Sequence, residues 1–151
     1  MLSNRRPRVL CVDDDEDSRV ALVTLLKLAL IEAKAVGTAA QALSLIQAER
    51  FDLYLLDSRL PDLDGFELCR RMRAFDAHTP ILFFSGAAFE ADKKRGIEAG
   101  ADAYVIKPDI HGLVGSINQF VSQAKNATAK IIPFERKMNF SPPFPFEPAA
   151  A

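Results

Sequence analysis

The stretch "VLCVDDDEDSRV", residues 9–20, decides the fold. Val9, Leu10, Cys11 and Val12 form a short apolar run without polar alternation, the pattern of a strand covered on both faces. Asp13, Asp14, Asp15, Glu16 and Asp17 then follow as five acids in succession. Two carboxylates about 4 Å apart repel by roughly 4 kcal/mol at an effective dielectric of 20. A cation has to offset that repulsion, or the acids have to point apart.

Outward from this stretch, short apolar runs alternate with segments of helical period. "RVLCV" (8–12) reads as strand one, and "DSRVALVTLLKLALIEA" (17–33) as a helix with Val20, Val23, Leu26 and Leu30 at helical spacing. "KAVG" (34–37) is a brief second strand, and Thr38 an N-cap for a helix over 39–50. "FDLYLLD" (51–57) reads as strand three, and the loop "SRLPDLDG" leads to a helix over 66–75. "ILFFSG" (81–86) is strand four, 89–100 a polar helix closed by Gly100, "AYVIKP" (103–108) strand five, and 109–125 a last amphipathic helix. Five strands and five helices in strict alternation predict an α/β fold, a doubly wound five-stranded parallel sheet covered on two sides. In such a sheet ligands bind outside the carboxyl ends of the strands.

Bulk properties narrow the function classes. The chain has 151 residues, 49% hydrophobic and 26% charged, with a net charge of −1. That length suits one domain with a proper core, and that charge gives no bulk attraction to nucleic acid or an anionic membrane. No apolar run approaches the ~20 residues of a membrane span, and "MLSNRRPRVL" lacks the apolar segment of a signal peptide. Cys11 and Cys69 stand far apart with no CxxC, so buried reduced thiols and a cytoplasmic location are expected. From about Asn126 the composition shifts: the last segment holds five of the nine prolines, with Phe134, Phe140, Phe144 and Phe146. The expected division is therefore a domain over 5–124 and a Pro/Phe-rich tail over 125–151, flexible or draped on the surface.

The strand ends carry the chemistry. Asp13 and Asp14 end strand one, Asp57 strand three, Ser85 strand four, and Lys107 strand five. Three carboxylates, a hydroxyl and an ammonium thus converge. An oxygen-only acidic cluster suits a hard divalent cation, Mg²⁺ in a compact site. Asp15, Glu16 and Asp17 instead suit the opening of the first helix, whose dipole favours negative charge. Asp57 could be a third metal ligand or a nucleophile toward a phosphoryl group, with Lys107 neutralising charge and Ser85 donating a hydrogen bond. No GxxxxGK[ST] or GxGxxG loop is present to bind ATP or a dinucleotide.

"VDDD" after strand one, "LLDSRLPDLDG" around Asp57, "ILFFSG" and "AGADAYVIKP" resemble the receiver domain of two-component response regulators, over about residues 7 to 124 and in the family's order. The resemblance implies a flavodoxin-like fold of the chemotaxis-regulator kind, with Asp57 as phosphoacceptor. Its phosphoryl group would come from phosphohistidine on a sensor histidine kinase or a histidine phosphotransfer protein. Asp14 would be the more direct Mg²⁺ ligand and Asp13 would act largely through water, with Asp57 and the backbone carbonyl of Arg59 completing the protein ligands. Ser85 matches the switch hydroxyl, Tyr104 the aromatic that changes rotamer with it, and Lys107 the family's lysine. Tyr104 would then pass the change to the face made by helix four, strand five and helix five.

Some positions depart from the family. Ala87, two residues after Ser85, has no polar group to orient a water, which points to a longer-lived phosphoryl state. Asp109 stands where many relatives carry an apolar residue, and the last helix has no arginine for the ion pairs of dimerising transcription-factor receivers. His78 and His111 are expected on the surface. The roughly 27 residues beyond 124 are too few for an output domain, so a stand-alone receiver acting by protein contact is expected, without DNA or membrane binding. The alternatives are a receiver fragment of a longer regulator, a pseudo-receiver, or a Mg²⁺-dependent aspartyl-phosphate phosphatase. Haloacid-dehalogenase-like phosphatases place a second acid two residues after the nucleophile, where this chain has Arg59.

Overall fold

The computed structural model describes the backbone of residues 5–138 and the side chains of residues 5–126. One compact unit, Arg5–Val121, holds a five-stranded sheet. The elements run β1 (Arg8–Val12), α1 (Glu16–Leu28), β2 (Glu32–Val36), α2 (Ala39–Ala48), β3 (Leu53–Leu56), α3 (Gly65–Phe75), β4 (Ile81–Ser85), α4 (Glu90–Glu98), β5 (Ala103–Ile106) and α5 (Ile110–Met138). The strand order is β2-β1-β3-β4-β5 and every pairing is parallel. The doubly wound sheet expected from the alternation is the one observed.

Strand periodicity divides the core into two layers. Leu10 and Val12 of β1, Tyr54 and Leu56 of β3, and Ile81 and Phe83 of β4 pack with Ala42, Phe66, Cys69 and Met72 of α2 and α3. The intervening residues Val9, Cys11, Leu53, Leu55, Leu82 and Phe84 face the other way, onto Leu22 and Leu26 of α1 and Leu113 and Ile117 of α5. Successive side chains point to opposite faces of a strand, so only strands apolar at every position can serve both layers. Both cysteines are free thiols and buried, as expected. Among the described residues no helix is long and apolar enough to cross a membrane.

Two element ends differ from the sequence reading. The first helix was expected to reach residue 33, but α1 stops at Leu28 and β2 begins at Glu32, earlier than Lys34. Leu30 turns the chain with φ 64. Its N–H bonds the Lys27 carbonyl, and the Ile31 N–H bonds the Leu26 carbonyl. Those two bonds and the apolar pair Leu26–Ile31 make a Schellman ending, built on a leucine where the usual glycine signal is missing. Gly100 (φ 114) closes α4 by the same bonds, to Ile97 and Gly96, at the position read from sequence.

The second difference lies at the carboxyl end. The last helix was expected to end near Lys125, with no helical period beyond, yet α5 continues to Met138. Alanine and lysine are strong helix formers, and "AKNATAK" supplies them across the expected break. The expected tail beyond residue 138, with Phe140, Phe144 and Phe146, lies outside the described residues, as does the Phe134 side chain.

Candidate functional site

From β1 the chain crosses through α1 to β2 on one side and then returns through α2 past β1 to β3 on the other, so a crevice opens where β1 and β3 end side by side. Asp13 and Asp14 follow β1 there, and Asp57 follows β3. One carboxylate oxygen from each of Asp13, Asp14 and Asp57 lies within 4.8 Å of the others. Asp13 is 2% exposed, which would be costly for an unpartnered charge. Its partner is Lys107, reaching over from the end of β5: Nζ lies 2.7 Å from Asp13 Oδ2 and 3.3 Å from Asp57 Oδ2. Burial works against the Lys107 charge, but the hydrogen bond to Asp13 and the attraction of both carboxylates outweigh it and hold its pKa above the ordinary lysine value.

The run of five acids divides as its chemistry suggests. Asp13 Oδ1 accepts the Asp15 N–H at 3.0 Å. Asp15 is the N-cap of α1, accepting the Ser18 N–H at 2.8 Å, and Glu16 and Asp17 occupy the first turn. That backbone bond from Ser18 depresses the Asp15 pKa, with the Ser18 side chain and the charges of Lys107 and Arg19 adding to it. Only Asp13 and Asp14 are left to face the crevice, and the like charges are spread over two jobs.

A backbone frame supports the cluster. Arg19, one turn into α1, donates from Nη1 to the Asp13 carbonyl at 2.9 Å. The β3–α3 loop is fastened at two points near α3: Asp62 accepts the N–H groups of Ala39 and Ala40 at the start of α2, each at 3.0 Å, and Asp64 caps α3 through the Phe66 N–H at 2.7 Å. Gly65 begins α3 hard against β3, its N–H on the Ser58 carbonyl at 3.0 Å. A Cβ there would stand 2.2 Å from the Asp57 carbonyl oxygen. Arg59 is exposed in this loop, two residues after Asp57.

Ser85 ends β4 and is 1% exposed. Its Oγ accepts the Ala87 N–H at 3.1 Å and lies 2.7 Å from Ser58 Oγ. Tyr104, half-buried on β5, stacks on Phe83 with ring centroids 5.5 Å apart and donates its hydroxyl to the Ala87 carbonyl at 2.7 Å. The predicted switch pair thus meets at one loop residue, Ala87, through its backbone. Its small side chain has no part in either bond. His78 and His111 are exposed.

Sequence reading missed Ser58, Arg19 and Asp62. Ser58 carried the best signal, a hydroxyl directly after Asp57 at the end of a buried strand. Arg19 and Asp62 act on partners that only the fold brings near.

Residues 9–118 match the response regulator receiver domain family. The chain belongs to that family. The DNA-binding response regulator MtrA of Mycolicibacterium smegmatis is 36% identical over 107 residues, covering 71% of this chain and 46% of that protein. The gliding motility regulatory protein of Myxococcus xanthus is 36% identical over 108 residues, 70% of this chain and 14% of that protein. This receiver chain therefore spans about half or less of the length of these curated relatives. The Francisella response regulator 1452 receiver domain superimposes with a TM-score of 0.76 at 28% identity, covering 80% of this chain and all of that one. The receiver domain of the Pseudomonas aeruginosa sensor histidine kinase PA1611, solved with magnesium in its active-site cleft, gives 0.72 at 25% identity, covering 78% of this chain and 98% of that one.

Proposed function

We propose that Asp57 accepts a phosphoryl group from phosphohistidine on a sensor histidine kinase or a histidine phosphotransfer protein, and that the phosphorylated receiver acts through a changed protein-contact surface. The observation that carries this reading is the ammonium of Lys107 bridging Asp13 and Asp57 inside a cluster of three carboxylates. A carboxylate is a poor nucleophile toward an anionic phosphoryl group unless fixed positive charge receives the transferring oxygens. Lys107 is such a charge, delivered by a different strand from the nucleophile.

The donor set also fits Mg²⁺, since Asp13, Asp14 and Asp57 offer oxygen ligands only. The Arg59 backbone carbonyl is proposed as the remaining protein ligand. Magnesium bound in a related receiver supports this assignment. When bound, the cation supplies further charge neutralisation to the phosphoryl oxygens. Asp57 Oδ attacks phosphorus, the P–N bond to the donor histidine breaks, and the imidazole leaves with that electron pair. Lys107 then shifts its pairing toward the phosphoryl group, and Ser85 donates its hydroxyl to a phosphoryl oxygen. Because Ser85 and Tyr104 are both bonded to Ala87, the change is passed along β5. The chain is on this reading a switch and not an enzyme acting on a separate substrate. Its work is in the cytoplasm, where a phosphohistidine donor is met.

The test is incubation with acetyl phosphate, with and without Mg²⁺, followed by intact mass measurement beside Asp57→Asn. A Mg²⁺-dependent gain of one phosphoryl group, absent from the variant, is expected. No gain where a known receiver is labelled in parallel refutes the reading.

A further inference from the structure

The residue directly after Asp57 carries a hydroxyl to which phosphoryl transfer assigns no part. Ser58 is 6% exposed, and its Oγ lies 2.7 Å from Ser85 Oγ on the neighbouring strand end. Ser85 Oγ also accepts the Ala87 N–H, and the Ala87 carbonyl accepts the Tyr104 hydroxyl. A continuous set of bonds therefore runs from the strand end bearing Asp57 to the aromatic on β5. Among the described bonds of Ser85 Oγ, none goes to Asp57.

We infer that Ser58 is a positioning residue that holds the Ser85 hydroxyl in the unphosphorylated arrangement, so that a phosphoryl group on Asp57 must take Ser85 away from Ser58. The inference rests on phosphoryl transfer to Asp57 as read above. The 2.7 Å contact fits either hydroxyl as donor; with Ser85 Oγ already accepting from Ala87, on this inference the single Ser85 hydrogen goes to Ser58, where it is withheld from a phosphoryl oxygen. Both hydroxyls are buried, so neither can exchange its partner for bulk water without a desolvation cost. An anionic phosphoryl oxygen is a stronger acceptor than a neutral hydroxyl, so the exchange becomes favourable on phosphorylation and not before. When Ser85 leaves, the Ala87 N–H loses its acceptor, and the loop that binds the Tyr104 hydroxyl is released with it.

Removing Ser58 therefore destabilises the resting arrangement and leaves the phosphorylated one without a stranded hydroxyl. One neutral hydrogen bond shifts such an equilibrium by about twofold to tenfold. The test is the affinity for beryllofluoride, a phosphoryl analogue, measured calorimetrically on the full chain with Mg²⁺. Ser58→Ala should tighten binding by that factor, and Ser58→Thr, which keeps the hydroxyl, should bind as the parent does. In a Ser85→Ala background the effect of Ser58→Ala should vanish. A purely structural role would lower the melting temperature in both backgrounds without tightening the analogue. Unchanged affinity in Ser58→Ala overturns the inference. Weakened affinity also overturns it, because Ser58 would then be supporting Ser85 in the bound form. If the parent chain binds no beryllofluoride and takes no phosphoryl group from acetyl phosphate, the phosphoryl reading itself fails and this inference falls with it.

Discussion

Gly65→Ala tests whether the site depends on α3 starting in backbone contact with β3. The added Cβ would stand 2.2 Å from the Asp57 carbonyl oxygen and 2.8 Å from Ser58 Cα. Carbon and carbonyl oxygen in close contact are about 3.3 Å apart, so the overlap is roughly 1 Å. Both obstacles are backbone atoms, and no side-chain rotamer can relieve it. The first turn of α3 must lift, breaking the 3.0 Å bond from the Gly65 N–H to the Ser58 carbonyl, or the peptide carrying Asp57 must move. Overpacking of this kind costs about 1–3 kcal/mol, and the lost hydrogen bond about 1 kcal/mol more. The expected loss is about 2–4 kcal/mol, a fall in melting temperature on the order of 10 °C for a unit of this size. Urea denaturation followed by far-ultraviolet circular dichroism measures the first quantity. Phosphoryl uptake from acetyl phosphate under native conditions should fall as well, because either relief moves the Asp57 backbone or the helix beside it. A variant within about 0.5 kcal/mol of the parent and labelled at the parental rate would refute the reasoning.

Other perturbations read separate parts of the structure. Leu30 is 61% exposed with φ 64, a backbone region that costs a residue with a Cβ about 1–2 kcal/mol; Leu30→Gly should raise stability by about 0.5–1 kcal/mol after its extra chain entropy, and a loss in urea denaturation would count against the Schellman reading. Burial, with Asp13 adding its charge, pushes the Cys11 thiol up to about 12, and burial pushes Cys69 to about 11; a disulfide reagent at pH 8 should modify both only on unfolding, and rapid native labelling would contradict the core packing. Asp76 accepts from the Tyr54 hydroxyl at 2.9 Å and from the N–H groups of His78 and Thr79, each at 3.0 Å. Burial opposes its charge, but the bonds from Thr79, His78 and Tyr54 prevail and depress its pKa. A depressed carboxyl stabilises the fold above its unfolded pKa of about 3.9 and loses that contribution as pH falls through the folded value. Asp76→Asn should therefore cost about 1 kcal/mol at pH 7, allowing for partial solvent screening, and that cost should shrink as pH falls below the unfolded value of about 3.9. A cost unchanged between pH 7 and pH 3 would rule out the charge as its source.

Most of the architecture was legible because it rests on one-dimensional patterns. Strands such as Leu53–Leu56 and Ile81–Ser85 are apolar at nearly every position because they serve two core layers, and that signal needs no partner to be read. Asp13, Asp14, Asp57, Ser85 and Lys107 were legible for the same reason, each standing at the end of such a run. The ends of α1 and α5 were not. Leu30 reverses the chain without the glycine that would announce it, and the helix formers after Lys125 carry α5 past a compositional break.

Local composition and period thus determined the alternation of elements, the sheet's two-sided burial and the inventory of charged groups at its carboxyl edge. What the tertiary structure alone decided is which of those groups touch. The Lys107 ammonium meets Asp13 across 94 residues of chain, Ser58 meets Ser85 across 27, and Asp62 reaches back 23 to cap α2. Such contacts depend on strand order and register, which follow from how the whole core packs, and no local stretch of sequence encodes them.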